Sequence, residues 1–193
     1  MFELINNRKR QRTRAVGLPD TGFSLIELMI VLAILAVVAA IGAPSFGQFV
    51  RSGKISAATN DLVGALYSAR SAAITRSTST VVCPSTNPIN TQAVCGTNTS
   101  WNNGFIVFVD ENGNGQREIA SEDLLVQVEP LSTGIELVAD AVYSDRVFFS
   151  DDGSSTNLAG VPLTGQFTVD FGDQQTRQVT VSANGRVSSK TNP

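Results

Sequence analysis

The chain has 193 residues, a formal net charge of -3 and only 16% charged residues, against about 25% in an ordinary soluble domain. It contains no histidine. That excludes Ser-His-Asp and Cys-His catalysis and every His-containing metal site, and it removes the commonest general base.

The charge is unevenly placed. Arg8, Lys9, Arg10, Arg12 and Arg14 precede Phe23, with only Glu3 and Asp20 against them. Of the 14 basic and 17 acidic residues, nine and fifteen remain beyond that point, a net of -6. Residues 23–43 form an apolar run long enough to cross a hydrocarbon core of about 30 Å as one helix. By the positive-inside rule the basic cluster stays cytoplasmic and the rest is exported. The run is too long for an ordinary secretory signal, and it carries Glu27. A plain anchor has no use for that carboxylate, which costs about 2.5–3.5 kcal/mol at mid-membrane. Cleavage after Gly22 would give it a partner. Phe23 would then be a new N-terminus, and its amine would lie one helical turn from Glu27. The pair could form within one helix or between stacked helices, where it would set their register.

The stretch Thr21-Gly22-Phe23-Ser24-Leu25-Ile26-Glu27, followed by Leu28-Met29-Ile30-Val31-Leu32-Ala33-Ile34-Leu35, resembles the class III signal of type IV pilins and type II secretion pseudopilins. The resemblance implies cleavage between Gly22 and Phe23 by a prepilin peptidase, N-methylation of Phe23, and a role for Glu27 in subunit recruitment. Pro44, with Gly42 beside it, is expected to kink the helix rather than end it.

A second apolar stripe of helical period follows: Phe46, Phe49, Val50, Ala57, Ala58, Leu62, Ala65, Leu66, Ala69, Ala73 and Ile74. Beyond it, β-branched and aromatic runs alternate with turn clusters. Strands are expected at 80–83, 105–109, 124–128, 134–138, 147–150, 166–171 and 177–182, with Gly172-Asp173 turning the last pair into a hairpin. The fold class is therefore α+β, a long N-terminal helix packed on an antiparallel sheet. The expected organisation is a leader at 1–22, a membrane and filament-core helix at 23–44, an amphipathic helix at 45–76 and a periplasmic β-rich domain at 77–193.

The exported part resembles the FimT/FimU minor pilins and their GspH-like relatives. The likeness rests on Leu66-Tyr67-Ser68-Ala69-Arg70-Ser71-Ala72-Ala73-Ile74-Thr75-Arg76, Val81-Val82-Cys83, Trp101-Asn102-Asn103-Gly104-Phe105-Ile106-Val107-Phe108-Val109-Asp110 and the late Val179-Thr180-Val181-Ser182-Ala183-Asn184-Gly185-Arg186. It implies a low-abundance structural subunit of the bacterial inner membrane and then of a pilus or pseudopilus, with other pilin subunits as partners. No cofactor and no enzymatic activity are expected; Asp145, Asp151, Asp152 and Asp173 lack a nucleophile beside them.

Three further features stand out. Asp110, Asn112 and Asn114, with Gly115 sixth, match the first half of a calcium loop, but Ser121 holds the twelfth position and strands flank the motif. A Gly/Asn turn explains the same residues; Glu118, Glu122 and Asp123 are the spare carboxylates should calcium bind. Arg177, Arg186 and Lys190 could contact phosphates, which keeps DNA binding as an alternative. Ser188 stands, however, where the DNA-uptake relatives have a second arginine. Cys83 and Cys95, exported and bracketing a loop-like segment, are expected to form a disulfide. Trp101 is expected to anchor the core.

Overall fold

The structure, a computed structural model, describes residues 22–97, 99–172 and 176–192, with side chains for all of these except 41–45 and 192. The basic leader and Asp173 lie outside the described residues. Helix α1 runs Leu25–Arg76. The chain divides into two compact units, Met1–Pro44 and Ser45–Pro193, the boundary falling inside that helix. Its helical assignment continues through Gly42 and Pro44, so the proline does not end it.

In the second unit, α1 buries Ile55, Ala58, Thr59, Leu62, Ala65, Leu66, Ala69 and Ala73, a stripe of three- and four-residue steps. The stripe starts later than the sequence suggests. Phe46, Phe49 and Val50 are exposed, as are Ala57 and Ile74. Periodicity marks a face as apolar but not where its partner begins.

The partner is two antiparallel sheets rather than one. The strands are β1 (Ser79–Pro84), β2 (Phe105–Asp110), β3 (Leu124–Val128), β4 (Glu136–Ala139), β5 (Val147–Phe149), β6 (Ser155–Thr156), β7 (Gly165–Asp170), β8 (Thr176–Val181) and β9 (Val187–Asn192). One sheet is ordered β3-β2-β1-β5-β6 and the other β4-β7-β8-β9. Inward residues of both, including Val82, Val107, Phe149, Leu137, Phe167, Val169, Val179 and Val181, close on the helix stripe in a single core. Trp101 sits inside it. Its ring meets Phe167 edge-on at 5.0 Å, and its Nε1–H donates to the Tyr143 carbonyl at 3.2 Å. This satisfies the polar tip that a buried indole carries.

Strands β1 and β2 are buried on both faces. Their outer residues Val81, Cys83, Ile106 and Phe108 form a second cluster with Phe148 and Ala93. The helix is also fastened by polar bonds. Thr80 Oγ1 donates to the Ala69 carbonyl at 2.8 Å, and Tyr67 Oη to that of Val187 at 3.0 Å. Arg70 donates through Nε to the Gly153 carbonyl and through Nη2 to that of Asn184, each at 3.1 Å.

Candidate functional site

Ser24 caps the helix, its Oγ accepting from the Ile26 amide at 3.2 Å. Glu27 follows in the first turn, where a carboxylate meets the positive end of the helix dipole. All residues from 22 to 40 are exposed in the single chain, Phe23 at 82%. Glu27 is thus the one charge on an apolar cylinder with no face turned inward, and among the described residues no ion pair reaches it. Among the described residues no helix is long and apolar enough to cross a membrane.

The segment 110–122 is a turn network. Asp110 accepts through Oδ1 from the Asn114 amide at 3.1 Å and through Oδ2 from the Gly115 amide at 2.9 Å. Asn112 Oδ1 accepts from the Asn114 amide, and Asn114 Oδ1 from the Gln116 amide. These four oxygens order the turn by accepting from its backbone amides, the usual work of Asx turns. Glu122 is buried and accepts from the Glu111 and Glu118 amides at 3.0 and 2.9 Å. Burial pushes its carboxyl up, whereas the Asn114 amide holds the Glu118 carboxyl down. Asp123 turns away to pair with Arg76 at 2.7 Å. Asp152, in a separate turn, is held down to about 2 by the Ser154 and Ser150 hydroxyls.

Cys83 and Cys95 are joined, with Cα atoms 5.5 Å apart. The bond closes a loop whose contacts are mostly backbone carbonyls: Arg117 Nη1 donates to Ala93, and Gln127 Nε2 to Asn90.

Arg177, Arg186 and Lys190 are not brought together. Arg177 pairs with Thr191 near the start of β8, whereas Arg186 lies in the turn beyond Val181, about 13 Å of strand away. Lys190 pairs with Gln178, whose side alternates with that of Arg177, so those two cations occupy opposite faces. Beyond the expected hairpin the structure adds β9, the edge of the second sheet. Its outward residues are polar and carry no alternation to reveal a strand.

Two cations escaped notice. Arg51 and Lys54 both sit over the Phe171 ring, 5.5 and 5.6 Å from its centre. The available signal was position: they are the only charges between Glu27 and Asp61.

Residues 58–185 match the family model described as "Type II transport protein GspH", and residues 19–43 match the "Prokaryotic N-terminal methylation motif". Among solved structures, the type IV minor pilin FimU of Pseudomonas aeruginosa is 15% identical, with a TM-score of 0.53 over 74% of this chain and 92% of that one. This likeness concerns the fold alone. The minor pseudopilin EpsH of the Vibrio cholerae type 2 secretion system is 16% identical, at a TM-score of 0.44 over 71% and 94% of the two chains. No curated protein sequence matches the chain.

Proposed function

Because this chain belongs to the type II transport protein GspH family and carries the prokaryotic N-terminal methylation motif, we propose that it is a minor pilin, a structural subunit that helps to start or cap a type IV pilus. One observation carries this reading. A helix exposed along its apolar length, with a single carboxylate in its first turn, leads into a pilin-like domain. A prepilin peptidase cuts between Gly22 and Phe23 and Phe23 is methylated. The helix holds the chain in the inner membrane, with the basic leader on the cytoplasmic side and residues 77–193 in the periplasm. Glu27 then faces the new amine, its own or a neighbour's. An unpaired carboxylate in a dry filament core is costly, whereas a paired one fixes the axial position of the subunit.

Processing is checked by mass spectrometry of the membrane form, which is expected to begin at methylated Phe23. A chain still starting at Met1 in cells with active peptidase removes this part of the reading. Assembly is checked by complementing a strain that lacks the chain. The wild type is expected to restore surface pili. Glu27→Ala is expected to be cut and inserted normally, yet to enter sheared filaments at about a tenth of the wild-type level or less, equivalent to at least 1.4 kcal/mol lost per subunit. Equal incorporation would refute the charge pair.

A second reading, a pseudopilin of a type II secretion system, is favoured by the family's own description. In that case the complemented strain regains secretion of folded exoproteins rather than pili. The DNA-receptor alternative draws less support, because its three cations lie at two ends and on two faces of β8 and β9.

A further inference from the structure

Asparagine followed by glycine is the dipeptide at which a backbone nitrogen most readily attacks a side-chain amide, because glycine puts no side chain in the way. The chain holds four such pairs: Asn103-Gly104, Asn112-Gly113, Asn114-Gly115 and Asn184-Gly185. The dipeptide is the same in each, but the fold separates them. The nucleophile is the glycine nitrogen. It attacks only when its N–H is not committed elsewhere and when a five-membered ring has room to close. The Gly104 amide donates to the Trp101 carbonyl at 3.2 Å, that of Gly115 to Asp110 Oδ2 at 2.9 Å and that of Gly185 to the Ser182 carbonyl at 2.7 Å. All three glycines are buried. A Cβ on them would stand 2.3 Å from the Val128 carbonyl oxygen, 2.9 Å from the Phe148 ring and 1.8 Å from the Gly153 carbonyl oxygen, respectively. Gly113 differs on every count. Among the described residues no hydrogen bond holds its amide, it and Asn112 are both exposed, and a Cβ on it would meet nothing within 4 Å. The electrophile is prepared as well. Asn112 Oδ1 accepts from the Asn114 amide at 3.0 Å. That donor draws charge from Cγ and stabilises the oxygen as it turns negative during attack.

We propose that Asn112-Gly113 is a site of spontaneous deamidation, the one Asn-Gly pair of the four that the folded chain leaves open to it. The Gly113 nitrogen gives its proton to hydroxide and bonds to Asn112 Cγ. The Cγ–Nδ2 bond breaks, and the nitrogen takes up a proton and leaves as ammonia. Water then adds to one of the two carbonyls of the succinimide. Opening the bond between Cγ and the ring nitrogen gives aspartate at 112. Opening the bond from the Asn112 main-chain carbonyl carbon to that nitrogen gives isoaspartate, in which the main chain runs through the former side chain. The net change is one water consumed and one ammonia released. Aspartate keeps an oxygen where the Asn114 amide finds its acceptor, whereas isoaspartate adds a methylene to the main chain and displaces it. Either product adds a negative charge to a loop that already carries Asp110, Glu111 and Glu118. The buried end of the turn has its own bonds. Asp110 holds the Asn114 and Gly115 amides, and Glu122 holds those of Glu111 and Glu118. The change is thus confined to the exposed tip.

The test incubates the purified full chain in mildly alkaline buffer, folded or in urea, and follows each pair by peptide mapping. Cleavage after Glu111 and Glu118 isolates Asn112 and Asn114 in one short peptide. Electron-transfer fragmentation then tells the two apart, and aspartate from isoaspartate. In the folded chain Asn112 is expected to convert at least about fivefold faster than Asn103, Asn114 or Asn184, the factor set by the one hydrogen bond each of those must first break. In urea that advantage is expected to vanish. N112Q, a change at an exposed position, is expected to abolish conversion at 112 and to leave the other three at their wild-type rates. Near-ultraviolet dichroism from the buried Trp101 is expected to be the same in aged and fresh protein. Equal rates at the four pairs of the folded chain overturn the proposal. An advantage of Asn112 that persists in urea overturns it too, since local sequence and not the fold would then select the site. Loss of the Trp101 signal in step with conversion places the reaction after unfolding and likewise overturns it.

Discussion

Gly185→Ala is expected to destabilise the unit of residues 45–193 by about 3–5 kcal/mol, whereas Gly160→Ala costs only about 1–2. The two glycines have nearly the same backbone, φ +72° and +77°. They differ in surroundings. A Cβ on Gly160 meets nothing within 4 Å, but one on Gly185 lies 1.8 Å from the Gly153 carbonyl oxygen and 2.9 Å from Arg70 Nε. That carbonyl is the acceptor for Arg70 Nε, so a methyl group at 185 pushes apart the loop that α1 holds. Gly153 is itself at φ +77°, with Ile74 Cδ1 2.6 Å from where its Cβ would stand. The loop cannot retreat toward the helix. Urea unfolding of the full chain, followed through the lone Trp101, measures both variants. Equal losses at the two sites would leave backbone conformation as the whole effect and dismiss the packing argument.

Removing the disulfide is the second large expected effect. Cys83→Ala/Cys95→Ala should cost about 3 kcal/mol in the chain-entropy model, within a range of 2–5 for small exported domains. The bond spans 12 residues of separation. It also does a packing job, because Cys83 is fully buried beside Ile106 and Phe108 while the loop beyond it places little apolar surface of its own except Ala93. Without the tie, the loop from Ser85 to Cys95 leaves the outer faces of β1 and β2 open to water. Unfolding of the wild type with and without reductant, beside the double variant in both conditions, isolates the term. Reductant should shift only the wild type. A double variant as stable as the oxidised wild type would show that the loop is held by its hydrogen bonds alone.

What the sequence revealed follows from where each signal is local. The β2 run Phe105–Val109 is β-branched and aromatic throughout and β3 is rich in Leu and Val, and both stand where expected. β6 has two residues, and β9 reads Val-Ser-Ser-Lys-Thr-Asn with one buried side chain; both exist through pairing with a neighbour. Taken alone, neither run carries an apolar or β-branched pattern that marks a strand. The N-terminal methylation motif was legible because it is linear: Gly22, Phe23 and Glu27 stand in one short run of sequence. The phosphate-contact candidates failed to converge because closeness in sequence says nothing about register or face. Arg51 and Lys54 became visible as a pair only when Phe171, far along the chain, arrived beneath them.

The bond from Tyr67 to Val187 joins residues 120 positions apart, and Val187 opens the last strand. Non-local closure of this kind is slow, since its entropy is lost before its contacts form. On the proposed export, with the N-terminal end first, the chain waits with Leu62, Leu66 and Ala69 uncovered until almost all of it has emerged. The Cys83–Cys95 tie needs only its own short loop and can be made during that wait. The order of closure follows: the local staple first, the helix seat last, and a complete domain only once the last strand is available.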